Sequence, residues 1–304
     1  MKPAVFIDGA AGTTGLELAD RLADRTDLTI VTLPDDRRKD ARARAEALND
    51  ADVAVLCLPD EAAREAVALI RGDTRVIDAS SAHRTAPGWT YGFSELGFDV
   101  ASARLVSNPG CYPTGFLALV APLVRAGLIP RDWPLSVNAI SGFSGGGKAL
   151  IARFEDDPAL AFRGYGYGLD HKHLPEMQVH AGLAHAPVFA PGVTRAFRGM
   201  IVEVPLSLAA LPGRPSRAAI VEVLGLAFDG APLIRVHAEM PGELLMATTA
   251  TPNDRLDLYV ATDAGETQAR LIATLDNLGK GAGGAAVQSL NLMAGLDPLA
   301  GLIV

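Results

Sequence analysis

Over its first hundred residues the chain alternates short β-rich runs with helical stretches, and no other feature limits the fold as strongly. Residues 4–7, 28–33, 53–58 and 75–78 are mostly apolar runs with strand composition; residues 16–23, 38–48 and 61–71 read as helices. Strands separated by helices cannot pair as hairpins. They predict a parallel sheet covered on both faces. At 304 residues the chain exceeds what one hydrophobic core usually organises, so a second domain is expected.

The pattern changes further on. Residues 116–125 are apolar enough for a buried helix, and 135–140 read as a strand. Ser141-Gly142-Phe143-Ser144-Gly145-Gly146-Gly147-Lys148 reads as a loop of very low stiffness. Residues 200–206, 233–237, 244–249 and 255–262 read as strands with few helices between them. Strands in succession predict an α+β second domain with a largely antiparallel sheet. The tail, 266–294, reads as mostly helical and is expected to pack back onto the first domain.

A charge of −8 without a dense Lys/Arg stripe argues against nucleic acid as the main partner. It leaves room for an anionic substrate, because a few arginines make a positive pocket inside an acidic protein. Two cysteines, Cys57 and Cys111, are too few for a disulfide framework. The N-terminal apolar run is short and ends at Asp8, unlike a signal peptide, and there is no run of about 18 apolar residues to span a membrane. The expectation is a cytoplasmic protein.

Gly9-Ala10-Ala11-Gly12-Thr13-Thr14-Gly15 follows the first strand and opens the first helix. Glycines there let backbone approach a pyrophosphate, and a helix start offers free N–H groups to it. The spacing departs from G-x-G-x-x-G, and a plain strand-to-helix turn would carry the same glycines; its place after the first strand favours nucleotide binding. After the second strand comes Asp35-Asp36-Arg37-Arg38-Lys39. Arg37 and Arg38 suit the 2′-phosphate of NADP, whereas Asp35 and Asp36 would suit the ribose of NAD.

Ser107-Asn108-Pro109-Gly110-Cys111-Tyr112-Pro113-Thr114-Gly115 is the most informative stretch. Pro and Gly fix a turn, and an apolar helix follows. Cys111 is thus expected at a helix N-terminus, where the dipole and free N–H groups favour the thiolate. A thiolate attacks acyl carbon, and the same N–H groups hold the resulting oxyanion. Cys57, inside an apolar run, reads as a small hydrophobe. Four of the six histidines fall between 171 and 185. In Asp170-His171-Lys172-His173-Leu174-Pro175-Glu176, either His171 or His173 suits a general acid/base, with Glu176 to orient it. His180 and His185 read as surface polarity. No third ligand completes a His-x-His zinc pair, so no metal is expected.

Together these stretches resemble the short-form N-acetyl-gamma-glutamyl-phosphate reductases, a family of the aspartate-semialdehyde dehydrogenase superfamily. The resemblance rests on the glycine loop, Asp78-Ala79-Ser80-Ser81-Ala82-His83-Arg84, the cysteine turn, the Ser141 to Gly147 stretch, the His171 to Glu176 stretch, and Asp276-Asn277-Leu278-Gly279-Lys280-Gly281-Ala282, in the family's order. It implies NADPH-dependent reduction of an acyl phosphate, N-acetyl-glutamyl 5-phosphate, to the semialdehyde in arginine synthesis. It implies Cys111 as nucleophile and His171 as base, with His173 and Glu176 close by. It implies cofactor contacts from Gly9, Gly12, Thr13, Thr14, Gly15, Arg37, Arg38, Ser144, Gly145 and Gly146, and substrate contacts from Ser81, Arg84 and Asn108. The last helix would join the nucleotide domain, giving an NADP-binding Rossmann-type domain of 1–110 and 281–304 and a catalytic domain of 111–280. That second domain would build a homodimer or homotetramer. His83 departs from the family pattern, where an aromatic residue is expected.

Aspartate-semialdehyde dehydrogenase and amino-adipyl-phosphate reductase would use the same chemistry on another acyl group. A non-catalytic NADP sensor would keep the glycine loop but needs neither Cys111 in its turn nor the histidines.

Overall fold

The computed structural model describes residues 2–34 and 36–304, in two compact units: 1–110 with 282–302, and 111–281 with 303–304.

The first unit begins with β1 (Ala4–Asp8), α1 (Thr13–Leu22), β2 (Thr29–Val31), α2 (Ala41–Asp50), β3 (Val53–Leu56), α3 (Asp60–Leu69), β4 (Arg75–Asp78), β5 (Thr90–Tyr91) and β6 (Leu105–Ser107). The six strands form one sheet in the order β2-β1-β3-β4-β6-β5, every pairing parallel. Side chains alternate across a strand, so each face takes every second residue. Val5, Ile7, Val53, Val55 and Ile77 share one core with Leu18 and Leu22 of α1. Phe6, Ala54, Leu56 and Val76 share the other with Ala47 and Leu48 of α2 and Ala66 of α3. Near-continuous apolar runs in β1 and β3 are what a doubly covered sheet requires.

The second unit holds α4 (Cys111–Arg125), β7 (Ser136–Gly142), α5 (Gly147–Asp156), β8 (Phe162–Gly164), α6 (Leu174–Ala181), β9 (Val188–Thr194), β10 (Met200–Leu206), α7 (Arg217–Ala227), β11 (Ile234–Val236), β12 (Leu256–Thr262) and β13 (Ala269–Leu275). Its seven strands run β11-β12-β13-β10-β7-β9-β8. The sheet is mixed: β7 pairs parallel with β9 and β11 with β12, and the other four pairings are antiparallel. Met200, Val202, Val204, Leu256, Leu258 and Val260 are buried, while the residues between them are partly or fully exposed. One face therefore carries the core, against α4 and α7. The chain then makes a π-helical turn (Gly279–Gly283) and ends with α8 (Gly284–Ala294), whose Val287, Leu290 and Met293 complete the first unit's α1-side core.

Three expectations need correction. Residues 266–294 are not mostly helical, because Ala269–Leu275 is the strand β13, paired along its whole length with β10 and β12. Its alternating Ala269, Leu271, Ala273 and Leu275 are all buried, with Ile272 buried between them, a period of two that Ala-rich composition concealed. Residues 244–249 form no strand; they lie in an irregular segment before β12, and apolar content alone misled. The stretch 141–148 is not a loose loop. It ends β7, makes a 3₁₀ turn (Phe143–Gly146) and starts α5, with Phe143 and Ser144 buried.

Candidate active site

In the first unit the glycine loop is set by contact. Gly9 has φ of +88°, and a Cβ there would lie 2.3 Å from the Cys57 carbonyl oxygen. A Cβ on Gly15 would lie 2.4 Å from the Gly9 carbonyl oxygen. No side chain other than hydrogen fits either place, so the loop folds tightly over the ends of β1 and β3. Gly12 is the N-cap of α1 and makes no side-chain cap, and Thr13 and Thr14 open the helix beside it. An uncapped helix start presents N–H groups to an anion. These features fit the pyrophosphate of a dinucleotide.

Arg37 and Arg38 lie in an exposed turn after β2, with Glu46 3.9 Å from Arg37. Asp35 lies outside the described residues. Sequence reading missed Arg44 of α2, which reaches back to Asp8 at the end of β1, Nη2 to Oδ2 at 2.8 Å. It neutralises the carboxylate that directly precedes the glycine loop.

Asp78, fully buried at the end of β4, organises the next stretch. Its carboxylate accepts from Ser80 N at 2.9 Å and Ser80 Oγ at 2.7 Å, and lies 2.6 Å from His83 Nδ1. His83 also stacks on Trp89, centroids 4.1 Å apart, so it occupies its place as a flat ring with a polar edge. Ser81 Oγ donates to Asp60 Oδ2 at 2.8 Å, so its hydroxyl proton is already engaged. Arg84 is buried, and its Nε donates to the Asn108 carbonyl at 3.0 Å. Asn108 is held in turn: Nδ2 donates to the Ala282 carbonyl at 3.0 Å. Arg84 and Asn108 are thus brought together, while Ser81 turns toward α3. Cys57 sits half-buried at the end of β3; burial, then the Asp78 and Asp8 charges, push its thiol up to about 12. It is an inert thiol at neutral pH.

In the second unit Cys111 is the first residue of α4. Tyr112 is buried and its hydroxyl donates to the Gly192 carbonyl at 3.0 Å, with the Tyr165 hydroxyl 3.4 Å away. Burial raises both phenols, so both stay protonated at neutral pH. The two histidines pack against these rings. The His171 ring lies 6.2 Å from Tyr112, 5.7 Å from Tyr165, 5.0 Å from Phe189 and 4.7 Å from His173, centroid to centroid. His173 N–H donates to His171 Nδ1 at 3.2 Å, so the neutral His171 ring carries its proton on Nε2. His173 is buried with its Nε2 4.0 Å from Glu176 Oε1, so the buried Glu176 accompanies His173.

The Ser–Gly stretch is tied to the segment after β13. Asn277 Nδ2 donates to Ser144 Oγ at 2.9 Å, and Asn277 Oδ1 accepts from Gly199 N at 2.9 Å. Gly145 lies beside the same amide, and Gly146 caps α5. Tyr165, Asn277 and Arg198 are site residues that sequence reading assigned no role. Asn277 lay within a quoted stretch; Tyr165 and Arg198 left no signal. Among the described residues, no group of three His, Cys, Asp or Glu side chains could hold a metal ion, and no helix is long and apolar enough to cross a membrane.

A glycine loop on a parallel sheet and a cysteine at the start of a buried helix define a nucleotide-dependent oxidoreductase of the semialdehyde dehydrogenase class. Residues 4–103 match the family "Semialdehyde dehydrogenase, NAD binding domain", and 111–277 match "Semialdehyde dehydrogenase, dimerisation domain". The chain belongs to the N-acetyl-gamma-glutamyl-phosphate reductase family. It is 49% identical over 311 residues to the Brucella ovis member, covering 97% of this chain and 100% of the relative, and 48% identical over 309 residues to that of Brucella anthropi, covering 97% and 99%. The fold is also that of aspartate semialdehyde dehydrogenase II from Vibrio cholerae, solved in complex with ASA (TM-score 0.71, 17% identity, 96% of this chain and 98% of that one). The enzyme from Francisella tularensis is similar too (TM-score 0.68, 14% identity, 96% and 99%).

Proposed function

We propose that this chain reduces N-acetyl-L-glutamyl 5-phosphate to N-acetyl-L-glutamate 5-semialdehyde with NADPH and releases phosphate, through a thioester on Cys111. The observation that carries the mechanism is Cys111 as the first residue of α4, next in the chain to Tyr112, whose ring meets those of His171 and His173. Kinship near 49% to N-acetyl-gamma-glutamyl-phosphate reductases supports the substrate.

The loop geometry at Gly9 and Gly15 fits the cofactor's pyrophosphate, which Gly9, Gly12, Thr13, Thr14 and Gly15 would hold. Arg37 and Arg38 would take the 2′-phosphate, and Ser144, Gly145 and Gly146 the nicotinamide end. When bound, NADPH supplies the hydride that reduces the thioester carbon.

The Cys111 thiolate attacks the acyl carbon; the C–S bond forms as the C–O bond to phosphate breaks. Ser81, Arg84 and Asn108 hold the substrate, with the Arg84 guanidinium against phosphate charge. The positive end of the α4 dipole and the Nε2 proton of His171 stabilise the oxyanion in each tetrahedral adduct. After reduction the C–S bond breaks, freeing aldehyde and thiolate. His173 and Glu176 hold His171 in place. One proton is consumed per turnover and ends on the departing phosphate. We place the reaction in the cytoplasm, in arginine synthesis, carried out by a homodimer or homotetramer built through the open face of the mixed sheet.

The test runs the reaction backwards, following NADPH absorbance with NADP, phosphate and one aldehyde. Phosphate-dependent turnover of N-acetyl-glutamate semialdehyde alone is expected. Turnover of aspartate semialdehyde or an amino-adipate semialdehyde instead would keep the chemistry and overturn the substrate. NADP binding without turnover of any would overturn the enzyme reading.

A further inference from the structure

We propose that Arg198, through its buried ion pair with Asp276, is a positioning residue that fixes Gly279 to Gly281, the opening of the π-helical turn, against Cys111. The inference rests on Cys111 as nucleophile and adds to it what sets the sulfur's place.

The chain of contacts lies wholly in the second unit. Arg198 Nη1 donates to Asp276 Oδ2 at 2.9 Å, and the two side chains are 8% and 4% exposed. Asp276 is a hub. Its Oδ2 also accepts from Asn253 N at 3.3 Å and its Oδ1 from Leu278 N at 2.9 Å. Its carbonyl accepts from Gly279 N at 3.1 Å and Gly281 N at 3.0 Å. Both of these hydrogen bonds to that carbonyl bend the chain into the turn that carries Gly281. A Cβ on Gly281 would lie 3.0 Å from the Cβ of Cys111. The turn is thus the surface on which the nucleophile rests. Gly199, next to Arg198, is held by Asn277, next to Asp276, and Asn277 also holds Ser144. One two-residue anchor on each strand end fixes both the cysteine's support and the Ser–Gly stretch.

Energetics favour placement over stability as the role of the pair. Two charges taken out of water gain little net stability from each other. A buried pair whose carboxylate also accepts two backbone N–H groups sets geometry, and a displacement of about 1 Å at a reacting atom costs on the order of 10²-fold in rate.

The experiment compares wild type with Arg198→Gln, Arg198→Lys and Asp276→Asn. It reads Tm, kcat, the KM for NADPH, and the pH profile of iodoacetamide labelling at Cys111, located by peptide mass. Arg198→Gln should lower kcat on the order of 10²-fold at unchanged KM for NADPH, and shift the labelling profile. Arg198→Lys keeps the charge without the planar fork and should recover part of both. A fall in Tm with kcat and the labelling profile at wild-type values would overturn the proposal. If Arg198→Gln does not fold, Asp276→Asn and Arg198→Lys carry the same comparison. Absence of Cys111 labelling in wild type, or full activity in Cys111→Ser, would overturn the nucleophile and this inference with it. Wild-type labelling of Cys111 with no change in any folded variant would overturn the positioning role alone.

Discussion

A Cβ built on Gly281 falls 3.0 Å from the Cβ of Cys111 and 3.1 Å from the carbonyl oxygen of Asp276. The glycine is wedged between Cys111 and the Asp276 carbonyl, so Gly281→Ala must move one or the other. We predict a fall in kcat of about tenfold or more, with folding retained. Steady-state kinetics beside a thermal melt check this; an alanine variant at wild-type kcat would show that the contact relaxes freely.

Gly9→Ala places a methyl 2.3 Å from the Cys57 carbonyl and demands a left-handed backbone of a non-glycine residue. The backbone term alone costs about 1–3 kcal/mol. The expected outcome is a lower Tm and loss of NADPH binding, read by quenching of protein fluorescence. Gly12→Ala meets nothing nearer than 3.5 Å and should be milder in both readouts.

Arg38→Ala removes a cation from the exposed turn after β2. If that turn holds the 2′-phosphate, the KM for NADPH should rise about tenfold or more, the worth of one charge-assisted hydrogen bond, while the KM for NADH stays put. Equal effects on the two cofactors would remove Arg38 from the phosphate site.

Burial and the Asp78 and Asp8 charges push the Cys57 thiol from 9.0 to about 12. Between those values the unfolded chain has released this proton and the folded chain has kept it. The folded state then binds more protons, so this group's contribution to stability falls as pH rises through the window, and is constant below 9.0. Urea unfolding midpoints of wild type should decline across that window more steeply than those of Cys57→Ala. Parallel declines would show that the thiol ionises as readily in the folded protein.

The first unit was legible because a doubly covered parallel sheet writes itself as apolar strands between helices, and β1, β3 and β4 fall where that pattern put them. Cys111 at a helix start was legible for a local reason: Pro109-Gly110 cannot continue a helix, and the apolar run after it can. β13 was not, because Ala269, Leu271, Ala273 and Leu275 suit a helix in isolation, and only pairing with β10 and β12 decides otherwise. The supports of the site were hidden for a related reason. Arg198 and Asp276 are 78 residues apart, as are Gly199 and Asn277, and no local pattern marks residues that meet only in the folded sheet. Arg44 and Asp8 are likewise far apart in sequence and meet only in the fold.

The central claim is a thioester on Cys111, and its most direct test is intact mass measurement of the enzyme mixed with N-acetyl-glutamyl phosphate in the absence of NADPH. The account predicts release of one phosphate per active site and a mass gain of one acyl group, mapped by peptide analysis to Cys111 and absent from Cys111→Ser. Phosphate release without an adduct, an adduct on another residue, or the same adduct on the Ser variant with normal turnover would contradict it.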